Sequence, residues 1–124
     1  MNRKILIVDD DRKTADLIRL YLERDGFQAL IAHDGRLALD LARQKRPDLI
    51  VLDLMLPTVD GRTVLREFAE NPLLSDIPII VVTGVDPMPD LPHAAAVLPK
   101  PCDPDHIAQV IADHLSAQAA HGGH

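Results

Sequence analysis

Two short apolar runs, Ile5-Leu6-Ile7-Val8 and Leu49-Ile50-Val51-Leu52, contain no polar residue, and each closes on aspartate: Asp9-Asp10-Asp11 after the first and Asp53 after the second. A strand with one face in water alternates apolar and polar residues. A strand without alternation is covered on both faces, the condition of strands inside a parallel sheet flanked by helices. Parallel neighbours must then be joined by crossovers long enough to bring the chain back, and these are usually helices of fixed handedness. With 124 residues the chain holds one such domain and an adequate core, with no room for a second.

The rest of the chain supplies those crossovers. After the strand Lys4–Val8, Thr14, Leu17, Ile18, Tyr21 and Leu22 recur at helical spacing until Asp25-Gly26, where glycine offers a left-handed stop. Gln28–Ala32 reads as a second strand. Asp34 caps a helix that buries Ala38, Leu41 and Ala42 and ends before Pro47. Asp48–Asp53 is the most apolar run and belongs at the centre of the sheet. The loop Leu56–Gly61 follows, with Asp60 as N-cap of a helix carrying Val64, Leu65 and Phe68 that stops near Asn71-Pro72. Ile77–Thr83 is a fourth strand, with Pro78 near its start where a lost donor is tolerated.

Between Gly84 and Ala94 the prolines Pro87, Pro89 and Pro92 each remove an amide donor, so no regular helix belongs there. Ala95–Leu98 forms a short fifth strand. Asp103-Pro104 opens a last helix with Ile107, Val110, Ile111 and Leu115 on its apolar face. The domain spans residues 1–118, and 119–124 read as a frayed tail. The class is α/β, a doubly wound five-stranded parallel sheet of order 2-1-3-4-5. Ligands of such sheets bind outside the carboxyl ends of the strands at the switch point, here between the strands that end on Asp9-Asp10 and Asp53.

Composition narrows the chemistry. A net charge of -6 argues against a phosphate backbone or an anionic membrane as the main partner and favours a basic protein, a cation or a phosphorylated donor. Cys102 is the only cysteine, which excludes an intramolecular disulfide and a cysteine-rich zinc site and suits a reducing cytosol. The apolar stretch after Met1-Asn2-Arg3-Lys4 is too short for a signal peptide or a membrane span, so a soluble cytoplasmic protein is expected. Tyr21, Phe27 and Phe68 are the only aromatics, too few for the stacking platforms of single-strand binders.

Three carboxylates at one strand edge repel one another and need a cation. Asp9, Asp10 and Asp53 with Lys100 leave a formal charge that one Mg2+ brings to zero, and Mg2+ takes oxygen ligands of this kind. Asp53, opening from a buried strand, is placed to accept a phosphoryl group, a reaction governed by alignment and cationic clamps. Thr83 has a hydroxyl and Gly84 an amide to offer a phosphoryl oxygen, and the bare Gly84 leaves room for it. If the hydroxyl turns inward only after transfer, the loop behind it follows.

Four pieces in order carry a resemblance: Ile5-Leu6-Ile7-Val8-Asp9-Asp10-Asp11; Val51-Leu52-Asp53-Leu54-Met55-Leu56-Pro57 with Asp60-Gly61; Val82-Thr83-Gly84; and Pro99-Lys100-Pro101. Together they resemble the receiver domain of two-component response regulators over nearly the whole chain. The resemblance implies a flavodoxin-like receiver fold, Asp53 as phosphoacceptor, Asp9 and Asp10 as the acidic pair for Mg2+, a backbone carbonyl of Met55 as a further metal ligand, and Thr83 and Lys100 as switch residues. It further implies a cis bond between Lys100 and Pro101. The implied activity is that of a signalling phosphoacceptor rather than an enzyme, with Mg-dependent self-phosphorylation and self-dephosphorylation. The implied partners are a histidine kinase or histidine phosphotransfer protein and a downstream protein target, with no nucleic acid or membrane.

Two positions depart from the pattern. The segment Thr83–Lys100 is several residues short and carries three prolines, so the family's fourth helix is expected to be lost or reduced to a turn. Val97 stands three residues before the lysine, where switching members carry an aromatic, so coupled rotation of threonine and aromatic is not available. The chain is similar to short stand-alone receivers. Met55 occupies the position that tunes acyl phosphate hydrolysis and cannot orient a water by hydrogen bonding, which implies a long-lived phosphoform.

Plainer readings stand beside these. Asp9-Asp10-Asp11 also suits simple helix capping, Lys100 a solvated lysine, Thr83 a strand end, His114 a core-edge position and Cys102 a small packed residue. His121 and His124 lie in the tail. A phosphate sink or relay intermediate uses the same chemistry. An aspartyl-phosphate hydrolase would require a second positioned carboxylate, where Asp53 is followed by Leu54-Met55-Leu56. A flavodoxin-like electron carrier requires a Ser, Thr and Gly-rich loop after the first strand, the electrostatic opposite of Asp9-Asp10-Asp11-Arg12.

Overall fold

The chain folds, in a computed structural model that describes residues 3–57, 59–85 and 89–122, into a five-stranded parallel sheet with helices on both faces. Thr58, Pro87 and the last two residues, assigned above to loops and the tail, lie outside the described residues. The strands are β1 (Lys4–Val8), β2 (Gln28–Ala32), β3 (Leu49–Leu52), β4 (Ile79–Thr83) and β5 (Ala96–Pro99), in the spatial order β2-β1-β3-β4-β5. The helices are α1 (Arg12–Arg24), α2 (Gly35–Lys45), α3 (Gly61–Glu70) and α4 (Pro104–Gly122). The order is the one expected from the sequence. It puts β1 and β3 side by side, with Val8 in register with Leu52.

The helix ends follow the sequence closely. Asp34 accepts the Leu37 amide at 2.9 Å, Asp60 accepts Arg62 at 2.9 Å and Asp103 accepts Asp105 at 2.9 Å. Each satisfies an amide that has no partner within its helix, and replacing such a cap by alanine typically costs about 1 kcal/mol. Gly26, with φ 89°, ends α1 in the left-handed region. Arg46, with φ 51°, ends α2 in the same region without glycine's freedom. The last helix runs on to Gly122, past the boundary placed at 118.

The sheet divides the core into two layers. Leu6, Val8, Ile50, Leu52, Ile79 and Val81 face α2 and α3, while Ile5, Ile7, Leu49, Val51, Ile80 and Val82 face α1 and α4. β1 and β3 are buried along almost their whole length, which is why their sequences show no alternation.

Three helix faces differ from the expectation in detail. Ala15 rather than Leu17 is buried on α1, Leu39 is buried on α2 where Leu41 is half-buried, and Ala108 rather than Val110 is fully buried on α4. Reading for large residues overlooks the alanines, because a helix lying close against a sheet puts its smallest side chains at the line of nearest approach.

The connection between β4 and β5 contains no helix among its described residues. The Ala94 amide closes a turn on the Leu91 carbonyl at 3.1 Å, and the Ala95 amide reaches the Ile79 carbonyl at 2.7 Å to start β5. The strand begins and ends one residue later than expected, because Pro99 takes its register from Thr83.

Candidate phosphoryl and metal site

At the carboxyl ends of β1 and β3 the chain leaves the sheet through Asp9 and Asp53. Their backbones stay tied to it: the Asp9 amide donates to the Ala32 carbonyl at 3.1 Å and the Asp53 amide to the Val8 carbonyl at 3.0 Å. Both side chains are nearly buried, while Asp10 is exposed. Carboxylate oxygens of Asp9, Asp10 and Asp53 lie within 4.8 Å of one another.

Lys100 supplies the counter-charge. Its Nζ donates to Asp53 Oδ2 at 3.0 Å and to Asp9 Oδ2 at 3.2 Å, bridging the two strand ends. The remaining oxygens of these aspartates are held by the turns they begin: Asp53 Oδ1 accepts the Met55 amide at 3.0 Å and Asp9 Oδ1 accepts the Asp11 amide at 2.9 Å. The Lys100-Pro101 bond is cis, and the Lys100 amide donates to the Thr83 carbonyl at 2.8 Å.

The charges leave a mark on proton affinity. Burial pushes the Asp9 carboxyl above the ordinary carboxylate value, against the downward pull of the Asp11 amide and Lys100. Burial alone would lower the Lys100 ammonium, but the bond to Asp53 and the charges of both aspartates outweigh it, so its pKa lies above the usual lysine value. One ammonium thus holds two buried carboxylates without fully relieving Asp9. A second cation of hard character would relieve it, and the donor set, all carboxylate oxygen with one exposed member, fits Mg2+ with bound water.

Asp11 is not part of this cluster. It is the N-cap of α1, its Oδ1 accepting the Lys13 and Thr14 amides and its Oδ2 the Thr14 hydroxyl, which holds its carboxyl below the usual value. Asp11 thus caps the helix, while Asp9 and Asp10 belong to the carboxylate cluster that could hold a cation.

Thr83 is fully buried, and its Oγ1 accepts the Val85 amide at 3.2 Å, so the hydroxyl is already engaged with the loop it was expected to move. Among the described residues, a β carbon added at Gly84 would meet only Lys100 Cβ, at 3.8 Å. Met55 is 65% exposed and, with Asp10, Leu56, Pro57, Arg62 and Val85, lines an open basin of about 600 Å3 beside the acidic cluster. Val97 is half-buried and packs against the layer under α2 and α3.

Two residues of the site were not singled out from the sequence. His33 Nδ1 lies 3.2 Å from the Asp9 carbonyl, and nothing about a histidine after β2 announces that contact. Gly61 is packed so closely that an added β carbon would fall 2.7 Å from the Asp53 and Leu54 carbonyl oxygens, while its amide donates to Leu54 O at 3.0 Å. The signal for it was present in Asp60-Gly61, a glycine at a helix start where no left-handed turn is needed.

Comparison with known proteins gives the family and the fold. The model for the response regulator receiver domain matches residues 5–112. The chain belongs to this family. The receiver is 43% identical over 86 residues to the alkaline phosphatase synthesis transcriptional regulatory protein PhoP of Bacillus subtilis, a match covering 69% of this chain and 35% of that protein. It thus spans about a third of the length of that curated relative.

Among solved structures, the receiver superposes on a CheY-like response regulator receiver domain protein of Methanospirillum hungatei with a TM-score of 0.85 and 26% identity, covering 98% of this chain and 99% of that one. It also resembles the signal receiver domain of a signal transduction histidine kinase of Syntrophus aciditrophicus, with a TM-score of 0.81 and 30% identity over 93% and 91% of the two chains. The receiver's fold and family are therefore those of two-component signalling. No helix of the described residues is long and apolar enough to cross a membrane.

Proposed function

We propose that this receiver takes a phosphoryl group onto Asp53 from the phosphohistidine of a histidine kinase or phosphotransfer protein, in the cytoplasm, and signals through protein contacts. The observation that carries the proposal is the single ammonium of Lys100 shared between Asp53 and Asp9, with the exposed Asp10 completing a carboxylate cluster open to a cation.

A carboxylate oxygen of Asp53 forms the new bond to phosphorus as the phosphorus–nitrogen bond of the donor breaks. The bonding pair leaves on the imidazole nitrogen, which takes a proton from solvent. Asp53 then carries about -1.5 to -2 in place of -1. Lys100 follows the added charge, and Asp9 and Asp10, with the Met55 carbonyl, would hold Mg2+, which when bound would supply Lewis-acid neutralisation of the phosphoryl oxygens.

Thr83 exchanges the Val85 amide for a phosphoryl oxygen by turning about χ1, with its hydroxyl donating. The Gly84 amide donates alongside it. The released Val85 amide then loosens the start of the β4–β5 connection.

The test is intact mass after treatment with phosphoramidate, with and without magnesium, on wild type and Asp53→Ala. One phosphoryl adduct is expected on wild type, magnesium-dependent and absent from the variant. An unmodified wild type sinks the proposal. A sink or relay differs only in onward transfer: radiolabel chased back to a phosphotransfer protein faster than it is released as phosphate would assign that use.

A further inference from the structure

The parallel ladder between β1 and β2 runs out at the carboxylate cluster. At its start the Gln28 amide donates to the Arg3 carbonyl, and at its end the Asp9 amide donates to the Ala32 carbonyl at 3.1 Å. Bonds of a parallel pair are evenly spaced and recur at every second residue, here with Val8 opposite Ala32. The next donor, for the Asp9 carbonyl, would be the Asp34 amide. Asp34 has left the sheet, however: it is the N-cap of α2, its side chain accepting the Leu37 amide, and among the described residues its amide does not reach Asp9.

A side chain takes the place of that amide. His33 Nδ1 lies 3.2 Å from the Asp9 carbonyl oxygen, in a partly buried position. A carbonyl oxygen can only accept, so the ring must carry a proton on Nδ1. The histidine thus adds one bond beyond the last residue of β2, and the bond restrains the plane of the peptide that joins Asp9 to Asp10.

That peptide matters because the carboxylates of the cluster are held unequally. Both oxygens of Asp9 are engaged, by the Asp11 amide and Lys100, and both oxygens of Asp53, by the Met55 amide and Lys100. Asp10 is exposed, and among the described residues neither the lysine nor a turn amide holds its side chain. Its place within 4.8 Å of the other two therefore depends on where the backbone aims it. The backbone entering Asp10 is the peptide that His33 restrains.

We propose that His33 is a positioning residue for the metal: by donating from Nδ1 to the Asp9 carbonyl it keeps Asp10 aimed into the cluster, where Mg2+ would bind. It is not itself a ligand, since the cluster consists of carboxylate oxygens and Mg2+ favours oxygen donors. Loss of an outer hydrogen bond that orients a metal ligand typically costs about 10- to 100-fold in affinity, and His33, acting through one peptide, belongs at the lower end. The inference rests on the reading of the cluster as a Mg2+ site.

The test is an amide NMR titration of the whole chain with Mg2+ on wild type, His33→Ala, His33→Gln and His33→Asn. Asparagine carries its amide nitrogen as many bonds from the backbone as histidine carries Nδ1, and glutamine carries it one bond further. His33→Ala and His33→Gln are expected to bind Mg2+ about tenfold more weakly, and His33→Asn within about twofold of wild type. Amide dispersion reports whether each variant folds, and the glutamine variant stands in for alanine if alanine does not. A long-range nitrogen spectrum of the metal-free wild type should show the neutral ring protonated on Nδ1. Unchanged affinity in the alanine and glutamine variants, even with a lowered melting temperature, assigns the histidine to the fold alone and overturns the proposal. An asparagine variant as weak as alanine, or a neutral ring protonated on Nε2, overturns it too. A wild type without a saturable Mg2+ response at Asp9, Asp10 and Asp53 fails differently: it removes the metal reading, and this inference with it.

Discussion

The connections that leave β3 and β4 serve the same edge of the sheet and are built in opposite ways. After β3 the chain turns through Asp53 and a buried Leu54 and is bolted down by Gly61, whose backbone lies against theirs with no space for a β carbon. After β4 it passes Thr83 and Gly84, where a β carbon has room, and its described residues contain no helix. The first connection holds the Asp53 carboxylate in place. The second is tied to the site through Lys100, whose amide donates to the Thr83 carbonyl and whose ammonium donates to Asp53 and Asp9.

The contrast breaks most easily at Gly61. Gly61→Ala is expected to lower stability by about 2–3 kcal/mol, because backbone rather than a flexible side chain must give way, and to slow phosphoryl uptake by displacing Asp53. Denaturant midpoints and adduct formation measure the two effects. Gly84→Ala should stay within about 0.5 kcal/mol of wild type. Equal losses at the two glycines would erase the distinction.

Next in size is Lys100→Met. It leaves two nearly buried carboxylates facing each other and should cost on the order of 1 kcal/mol in metal-free buffer, the lysine being partly solvated; magnesium should return part of the loss. The lysine's contribution has a defined pH window. Its folded pKa is raised, so the stabilisation is complete below the ordinary value of about 10.4 and is lost as pH rises through the folded value.

Asp9 runs the other way. Its folded pKa is also raised, which for an acid means that the charged form is a cost above that pKa, relieved as pH falls through it. Without metal, Asp9→Asn should therefore melt a few degrees above wild type at pH 7, and the gap should close as pH falls through the raised folded pKa of Asp9; a gap that widens on acidification contradicts the burial argument. The smallest effect is kinetic. Met55→Asn should shorten the life of the phosphoform several-fold, because an amide can orient a water and a thioether cannot. Slower loss of phosphate from the variant contradicts it.

How much of this could be read beforehand depends on the kind of interaction. The sheet order, the caps Asp34 and Asp60 and the stop at Gly26 rest on local patterns of burial and turn chemistry, and a one-dimensional pattern records them. The meeting of Asp9, Asp10, Asp53 and Lys100 followed from topology, since parallel strands deliver their carboxyl ends to one edge. The alanine lines of α1 and α4, the His33 contact and the Thr83 bond to Val85 depend on distances between elements, which spacing does not encode. The end of α3 was legible as well, because Asn71-Pro72 marks the stop: proline has no amide to continue the helix.

The short fifth strand has a further consequence. β5 is one of the two margins of the sheet, partly exposed along its length, and an edge strand of this kind invites another chain to pair with it. Here the last residue of the strand is Pro99 and the second residue beyond it is Pro101, neither able to donate an amide hydrogen bond. Prolines at this margin thus guard it against edge-to-edge aggregation, and leave side chains rather than strand addition as the means of contact along it.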